Sequence, residues 1–172
     1  IGVNWVPREI YEQFLYEVIG TSAYARYKIK VLYSPHSGEW NVTNKSFDGS
    51  NIKAVTTYGT KRINAYHIFE QTLNQKDVRI YDTKIDANGN EVRVLNKKET
   101  AIAQDRQELI KAKFTEWVWK DIDRRDRLCG IYNETFNAIR PREYDGQHIR
   151  FSGMNPEITL RTHQINAIAH IM

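Results

Sequence analysis

Asp86-Ala87-Asn88-Gly89-Asn90, between two apolar-rich runs at residues 78–85 and 91–95, constrains the fold more than any other stretch. Asn-Gly tolerates positive φ at both centre positions of a two-residue turn, and that turn's twist matches paired antiparallel strands. The two runs must then pair with each other. Alternation puts Val78, Ile80, Val92 and Val94 on one face, with Arg79, Tyr81, Arg93 and Leu95 on the other. A hairpin needs no crossover helix, so the chain is not obliged to wind a parallel sheet.

The rest of the chain follows the same logic. Tyr27, Ile29, Val31 and Tyr33 alternate with Lys28, Lys30 and Leu32, which predicts a strand over residues 27–33. Ser34-Pro35-His36-Ser37-Gly38 turns the chain into a partner strand at 39–43, with Trp40 and Val42 on one face. Residues 52–56 offer a third short strand, and 148–151 another within an irregular connector. Helical spacing marks residues 7–19, where Ile10, Tyr11, Phe14, Leu15, Val18 and Ile19 form one stripe ended by Gly20. Residues 63–74 repeat the pattern, with Thr60 as the candidate cap. Residues 97–120 align Ala103, Ile110, Phe114, Trp117 and Val118. Residues 121–139 align Leu128, Ile131, Tyr132, Thr135, Phe136 and Ile139 ahead of Pro141, and Ile165, Ile168, Ala169 and Met172 mark a last helix. The order predicts an α+β fold, two β-hairpins packed with about five helices. It divides into an accessory domain at 1–153, with units at 1–60 and 61–96 and a helical pair at 97–139. The start of a further domain follows at 154–172.

The chain's 172 residues can bury a proper core, and 41% hydrophobic with 27% charged residues are globular values. No apolar run approaches the roughly 20 residues that span a bilayer. Cys129, the sole cysteine, excludes an internal disulfide and reads as a small core residue in a reducing, cytoplasmic setting. The start at Ile1-Gly2-Val3 and the helical run at the end predict an internal piece of a longer protein.

Net charge is +4, concentrated in one region: residues 26–62 carry seven basic and two acidic side chains. There Lys28, Lys30, Lys45, Lys53, Lys61 and Arg62 interleave with Tyr24, Tyr27, Tyr33, Trp40, Phe47 and Tyr58. Cations meet phosphates and flat rings stack on unpaired bases. Lys28, Lys30, Lys53, Arg62, Tyr33 and Trp40 are therefore candidate DNA contacts, joined by Arg140 and Arg142 of Arg140-Pro141-Arg142. The competing reading makes the rings core and the lysines a solvated face. Asp123-Arg124-Arg125-Asp126-Arg127 reads as a solvated helix start laced with ion pairs. The five histidines lack metal-ligand spacing. There is no G-x-x-x-x-G-K-[ST] loop and no Asn-Pro-Pro-aromatic run, which leaves no catalytic constellation.

Leu160-Arg161-Thr162-His163-Gln164 resembles the Leu-Arg-Pro-His-Gln motif of superfamily 2 helicases and SNF2-like translocases, with Thr162 where proline is commoner. In that family the glutamine precedes the phosphate-binding loop and reads the edge of adenine, which an amide matches by donating and accepting at once. The resemblance implies nucleotide contact by Arg161, His163 and Gln164 only once a motor domain is attached. Further stretches resemble the region before the helicase core of large helicase–DNA methyltransferase fusion proteins of mobile elements and phages. These are Leu95-Asn96-Lys97-Lys98-Glu99-Thr100, Gln107-Glu108-Leu109-Ile110-Lys111, Phe114-x-x-Trp117-Val118-Trp119-Lys120-Asp121, Tyr132-Asn133-x-x-Phe136-Asn137, Arg142-x-Tyr144-Asp145-Gly146 and Phe151-Ser152-Gly153-Met154-Asn155-Pro156. Those proteins join an N6-adenine methylase half to a helicase half. The resemblance implies a parent acting on DNA with ATP and Mg and with S-adenosylmethionine. It implies partners in DNA and in the adjacent helicase and methyltransferase domains of the same chain. The lack of a long apolar run predicts no membrane partner, and the missing motifs predict no cofactor in this stretch itself. The expected role is a non-catalytic, DNA-contacting accessory domain. The alternative is a structural or protein-interaction spacer that orients the catalytic domains without touching nucleic acid.

Overall fold

The first helix, α1 (Arg8–Phe14), runs on as a π-helical segment, Leu15–Ile19, and stops at Gly20 with φ of 77°. A residue without Cβ takes that left-handed conformation at little cost. The predicted stripe is the core face: Ile10, Tyr11, Phe14, Leu15 and Ile19 are all buried. A computed structural model describes residues 1–86, 90–138, 145–155 and 157–171. These form two compact units, Ile1–Tyr132 and Asn133–Met172.

In the larger unit, strands β1 (Val31–Ser34) and β2 (Glu39–Val42) pair antiparallel with Val31 opposite Val42 and Tyr33 opposite Trp40. Val31, Trp40 and Val42 are buried on one face. The strand starts at Val31, four residues later than the alternation predicts. Residues 22–29 instead coil into successive turns: the Ser22 carbonyl accepts from the amides of Ala25 and Arg26, and the Ala25 carbonyl from those of Lys28 and Ile29. Ala25 and Ile29, four apart, anchor these turns in the core. The Glu12 carboxylate accepts from the Val31 amide at 3.0 Å and so ties the strand to α1.

The third strand predicted at 52–56 is instead a π-helical segment, Lys53–Thr57. Asn51 starts it: its carbonyl accepts from Val55 N and its side chain from Ala54 N. The next helix, α2 (Ala65–Leu73), is capped by Asn64, whose Oδ1 accepts from the His67 amide. Thr60, expected in that role, sits four residues too early and accepts instead from the amides of Arg62 and Ile63.

Strands β3 (Tyr81–Ile85) and β4 (Glu91–Leu95) form the second hairpin, with Tyr81 opposite Leu95 and Ile85 opposite Glu91. The Asn88-Gly89 turn lies outside the described residues. The ladder is three residues shorter than predicted because residues 76–80 dock on α3 (Lys97–Lys120), whose side chains act as the missing strand. Gln107 accepts from Val78 N and donates to Lys76 O; Gln104 donates to Val78 O; Thr100 accepts from Ile80 N. Thr100 and Gln107 are buried with the apolar face that Ala103, Ile110, Phe114, Trp117 and Val118 form. Phe114 stacks on Tyr11 at 5.5 Å, and Phe14 meets Phe69, Phe114 and Trp117 edge-on or stacked at 5.2–5.5 Å.

The fourth helix, α4 (Ile122–Phe136), buries only Leu128 among its described residues, and Tyr132 and Phe136 of its predicted stripe are exposed. Cys129 is also exposed, not the core residue expected, because it follows Leu128 and faces away from the side that Leu128 buries. In the smaller unit, α5 (Thr162–Ile171) half-buries Ile165, Ile168 and Ala169, the predicted face. The Gly146 amide donates to Asn166 Oδ1 at 3.1 Å. Residues 148–151 are not a strand. Among the described residues no helix is long and apolar enough to cross a membrane.

Candidate nucleic-acid interface

The aromatic residues of the basic region divide by depth. Trp40 is 4% exposed, packs edge-on against Tyr11 at 4.9 Å and donates its indole N–H to Gly2 O at 2.9 Å. It is a core residue with no ring face to offer a base, which removes it from the expected contacts. Tyr58 is buried as well, and Tyr33 packs half-buried against Trp40 at 4.8 Å. The rings left at the surface are Tyr24 (51% exposed), Tyr27 (66%) and Phe47 (37%). They lie together. Tyr24 and Phe47 have ring centroids 5.6 Å apart, and the Lys28 ammonium stands 4.2 Å from the Phe47 ring and 5.8 Å from Tyr27.

Local chain geometry produces this platform. The turns at 22–29 bury Ala25 and Ile29 and turn Tyr24, Tyr27 and Lys28 outward. Phe47 comes from the loop after β2, where Asn44 adopts φ of 47° and its carbonyl accepts from the Phe47 amide. Asp48 joins the two segments. It is buried, and it accepts from the Ser22 amide, the Ser22 hydroxyl, the Tyr66 hydroxyl and the Asn51 amide group. Burial pushes its carboxyl pKa up, but these hydrogen bonds outweigh burial and hold it below the usual aspartate value. The same burial, with the Asp48 charge alongside, pushes the Tyr66 phenol well above its ordinary value. Asp48 is thus ionised and spent on structure.

The expected cations have different surroundings. Lys28 and Lys53 are exposed. Lys30 pairs with Glu12 at 3.4 Å and donates to the Tyr16 hydroxyl at 3.1 Å. Arg62 pairs with Asp82 at 2.9 Å and donates to Tyr81 O at 3.0 Å. Arg140 and Arg142 lie outside the described residues. Arg124, read from sequence as part of a solvated run, is drawn inward: its side chain is 9% exposed, lies 3.5 Å from the Trp117 ring, and donates to Trp117 O and Val118 O at the end of α3.

Beside the platform lies a cleft of about 430 Å³ lined by Ser46, Thr60, Lys61, Arg62, Asn64 and His67 among others. His67 Nδ1 is 2.9 Å from Asn64 Oδ1. That oxygen can only accept, so Nδ1 carries the proton. Burial, helped by the Lys45 charge, lowers the His67 pKa below its ordinary value, which leaves the ring neutral at pH 7 with Nε2 as an acceptor. Among the described residues no group of three or more His, Cys, Asp or Glu side chains gathers as a metal ion would need.

In the smaller unit Gln164 does not extend from its helix. Its Oε1 accepts from the Arg161 amide at 2.9 Å, half of a capping box at the start of α5, beside exposed Arg161 and His163.

Nothing in the sequence alone separated Tyr24, Tyr27 and Phe47 from Tyr33, Trp40 and Tyr58 as a set. The usable signal was the shared strand face of Trp40 and Val42, which already argues for burial. No curated protein and no solved structure matches the chain. Residues 1–138, the whole stretch from the first residue through α4, match the family described as "Domain of unknown function (DUF8437)", and the chain belongs to that family.

Proposed function

We propose that this chain is a non-catalytic, DNA-contacting accessory domain of a cytoplasmic ATP-dependent DNA helicase or translocase fused to an adenine methyltransferase. The observation that carries the DNA contact is the exposed Tyr24–Tyr27–Phe47 cluster with the Lys28 ammonium over it. Exposed rings beside a cation that has no ion pair among the described residues match the two faces of a nucleotide: stacking for the base, charge for the phosphate. The link to a motor and a methylase rests on the sequence resemblance around Leu160–Gln164 and through residues 95–156. ATP, Mg and S-adenosylmethionine belong to those neighbouring domains in this reading. In this chain the Gln164 amide oxygen is engaged by its own helix cap, and the sequence has no phosphate-binding loop to complete a nucleotide site.

The test is fluorescence anisotropy of labelled single- and double-stranded DNA at low and at physiological salt. Binding that weakens with salt, and weakens again in Lys28→Glu and in Phe47→Ala with an unchanged melting temperature, supports the reading. No binding to any DNA at low salt sinks it.

One observation favours the spacer as a second reading. The β3–β4 hairpin exposes Ile85, Val92, Val94 and Leu95, the kind of apolar surface a neighbouring domain covers. In a parent protein with DNA-stimulated ATPase, charge reversal at Lys28 that leaves stimulation intact, with Val92→Asp abolishing it, would favour the spacer.

A further inference from the structure

Ser46 and Phe47 are consecutive, yet Ser46 lines the cleft beside Lys61 while Phe47 belongs to the ring platform. The two sites are therefore one residue apart, about 3.8 Å along the chain. One side of this loop offers apolar ring faces under a single ammonium. The other offers a cleft of mixed lining, where Lys61, Arg62, Ser46 and the neutral imidazole of His67 stand beside Val55, Ile63 and Ile80.

We infer that the cleft is a backbone phosphate subsite of a single-stranded nucleic acid whose neighbouring bases stack on Tyr24, Tyr27 and Phe47. The inference rests on the proposed DNA contact and narrows it to unpaired strands. Ring faces accept bases only when the bases are unstacked from a complement, which a duplex does not offer without melting.

The division of labour in the cleft follows from its charges. Lys61 is exposed and has no ion pair or hydrogen bond to the described residues, so its full charge is available. Arg62 is held by Asp82 and by Tyr81 O. Asp82 is itself kept ionised, its carboxyl lowered by hydrogen bonds from Asn96 and then Arg62, so it offsets most of the Arg62 charge. Arg62 supplies fixed N–H direction more than attraction. Lys45, whose charge acts on His67, pairs with Glu70 at 2.5 Å. His67 adds no charge, and its Nε2 can accept from a base or sugar donor. Of the two cations in the described lining, Lys61 alone has no ion pair among the described residues, and a single charge with oriented polar groups beside it suits one phosphate of a strand better than a free polyphosphate.

Three labelled probes separate the claims: oligo-dT, an abasic oligodeoxynucleotide of equal length, and the duplex. Binding of each is measured against salt concentration by the full chain, by Lys61→Ala and by the Tyr27→Ala/Phe47→Ala double variant. The expected order is oligo-dT tighter than the abasic strand and tighter than the duplex. Lys61→Ala should lower the salt slope by about 0.7 for both single strands, the value for one phosphate contact. The ring double variant should erase the advantage of oligo-dT over the abasic strand and leave the slope alone. If Lys61→Ala leaves every slope unchanged while the ring variant weakens oligo-dT, the phosphate subsite is wrong and the DNA-contact reading stands. Equal or tighter duplex binding overturns the single-strand assignment. Absence of binding by the parent chain overturns both.

Discussion

Asp48 holds together the two segments that build the ring platform, so its removal should cost stability by an amount its hydrogen bonds set. Its carboxylate accepts four hydrogen bonds, from Ser22 twice and from Tyr66 and Asn51. A hydrogen bond to a charged group contributes about 1.5–3 kcal/mol, but bonds within one network do not add. In Asp48→Ala the Tyr66 hydroxyl can turn its proton to Thr21 Oγ1, already 2.9 Å away, while the Ser22 amide has no such alternative. The expected loss is therefore about 3–4 kcal/mol, near the cost of one orphaned donor plus one weakened network. At about 2–4 °C per kcal/mol for a chain of this size, the melting temperature should fall by roughly 6–16 °C. Asp48→Asn keeps one acceptor oxygen and loses the charge, so a smaller loss of about 1–2 kcal/mol is expected.

The pH dependence is a second readout. Because the folded-state carboxyl is held below its unfolded value, its contribution is fully present above about pH 4 and disappears as pH falls through the lower, folded-state value. Asp48→Asn should flatten that acid arm of the stability curve. Differential scanning fluorimetry from pH 2.5 to 8 measures both effects. An Asp48→Ala melting temperature within 2 °C of the parent would show that the network does not carry the loop. An acid arm unchanged in Asp48→Asn would show that the titrating group lies elsewhere.

Arg124→Lys should cost about 2 kcal/mol in a urea melt, because a lysine cannot donate to both Trp117 O and Val118 O while lying flat on the indole. Gln107→Leu leaves the buried Val78 N–H and the Lys76 carbonyl unpaired. A loss of about 2–3 kcal/mol is expected, with faster hydrogen exchange at Val78. Trp40→Phe should lose about 1 kcal/mol through its bond to Gly2 O and leave DNA affinity unchanged; a selective fall in affinity would return Trp40 to the interface.

The long-period signals were the most legible part of the sequence. The α3 stripe at Ala103, Ile110, Phe114, Trp117 and Val118 is buried as spaced, because 24 residues give a 3.6-residue period enough repeats to exclude chance. Strand ends were less legible. Val78 and Ile80 alternate as strand residues do, yet their partners are the side chains of Gln107 and Thr100, polar residues set on the otherwise apolar face of α3. The polar pair was the available clue: a glutamine and a threonine seven apart within a buried stripe must satisfy something. Tyr27 and Lys28 fit an alternating pattern that the Ser22 and Ala25 carbonyls override by accepting turn hydrogen bonds. The short run of alternation was too brief to outweigh two anchored turns.

The basic excess of residues 26–62 was legible as a number and misleading as a surface. Among the described residues, three of its seven cations are paired with acids from outside the segment: Lys30 with Glu12, Lys45 with Glu70 and Arg62 with Asp82. A local count cannot see those acids, because tertiary packing brings each in from 18 to 25 positions away from the cation it pairs with. Arg26, Lys28, Lys53 and Lys61 are left with their charge uncompensated by an ion pair among the described residues. Each phosphate neutralised on a single strand adds about 0.7 to the slope of log affinity against log salt. Four available cations therefore cap the single-strand slope from this region at about 3, whereas the sequence count of seven would allow about 5. A measured slope near 5 would mean that DNA breaks the internal pairs on binding. Glu12→Gln should then raise affinity by freeing Lys30, and it should do nothing to affinity if the pairs stay closed.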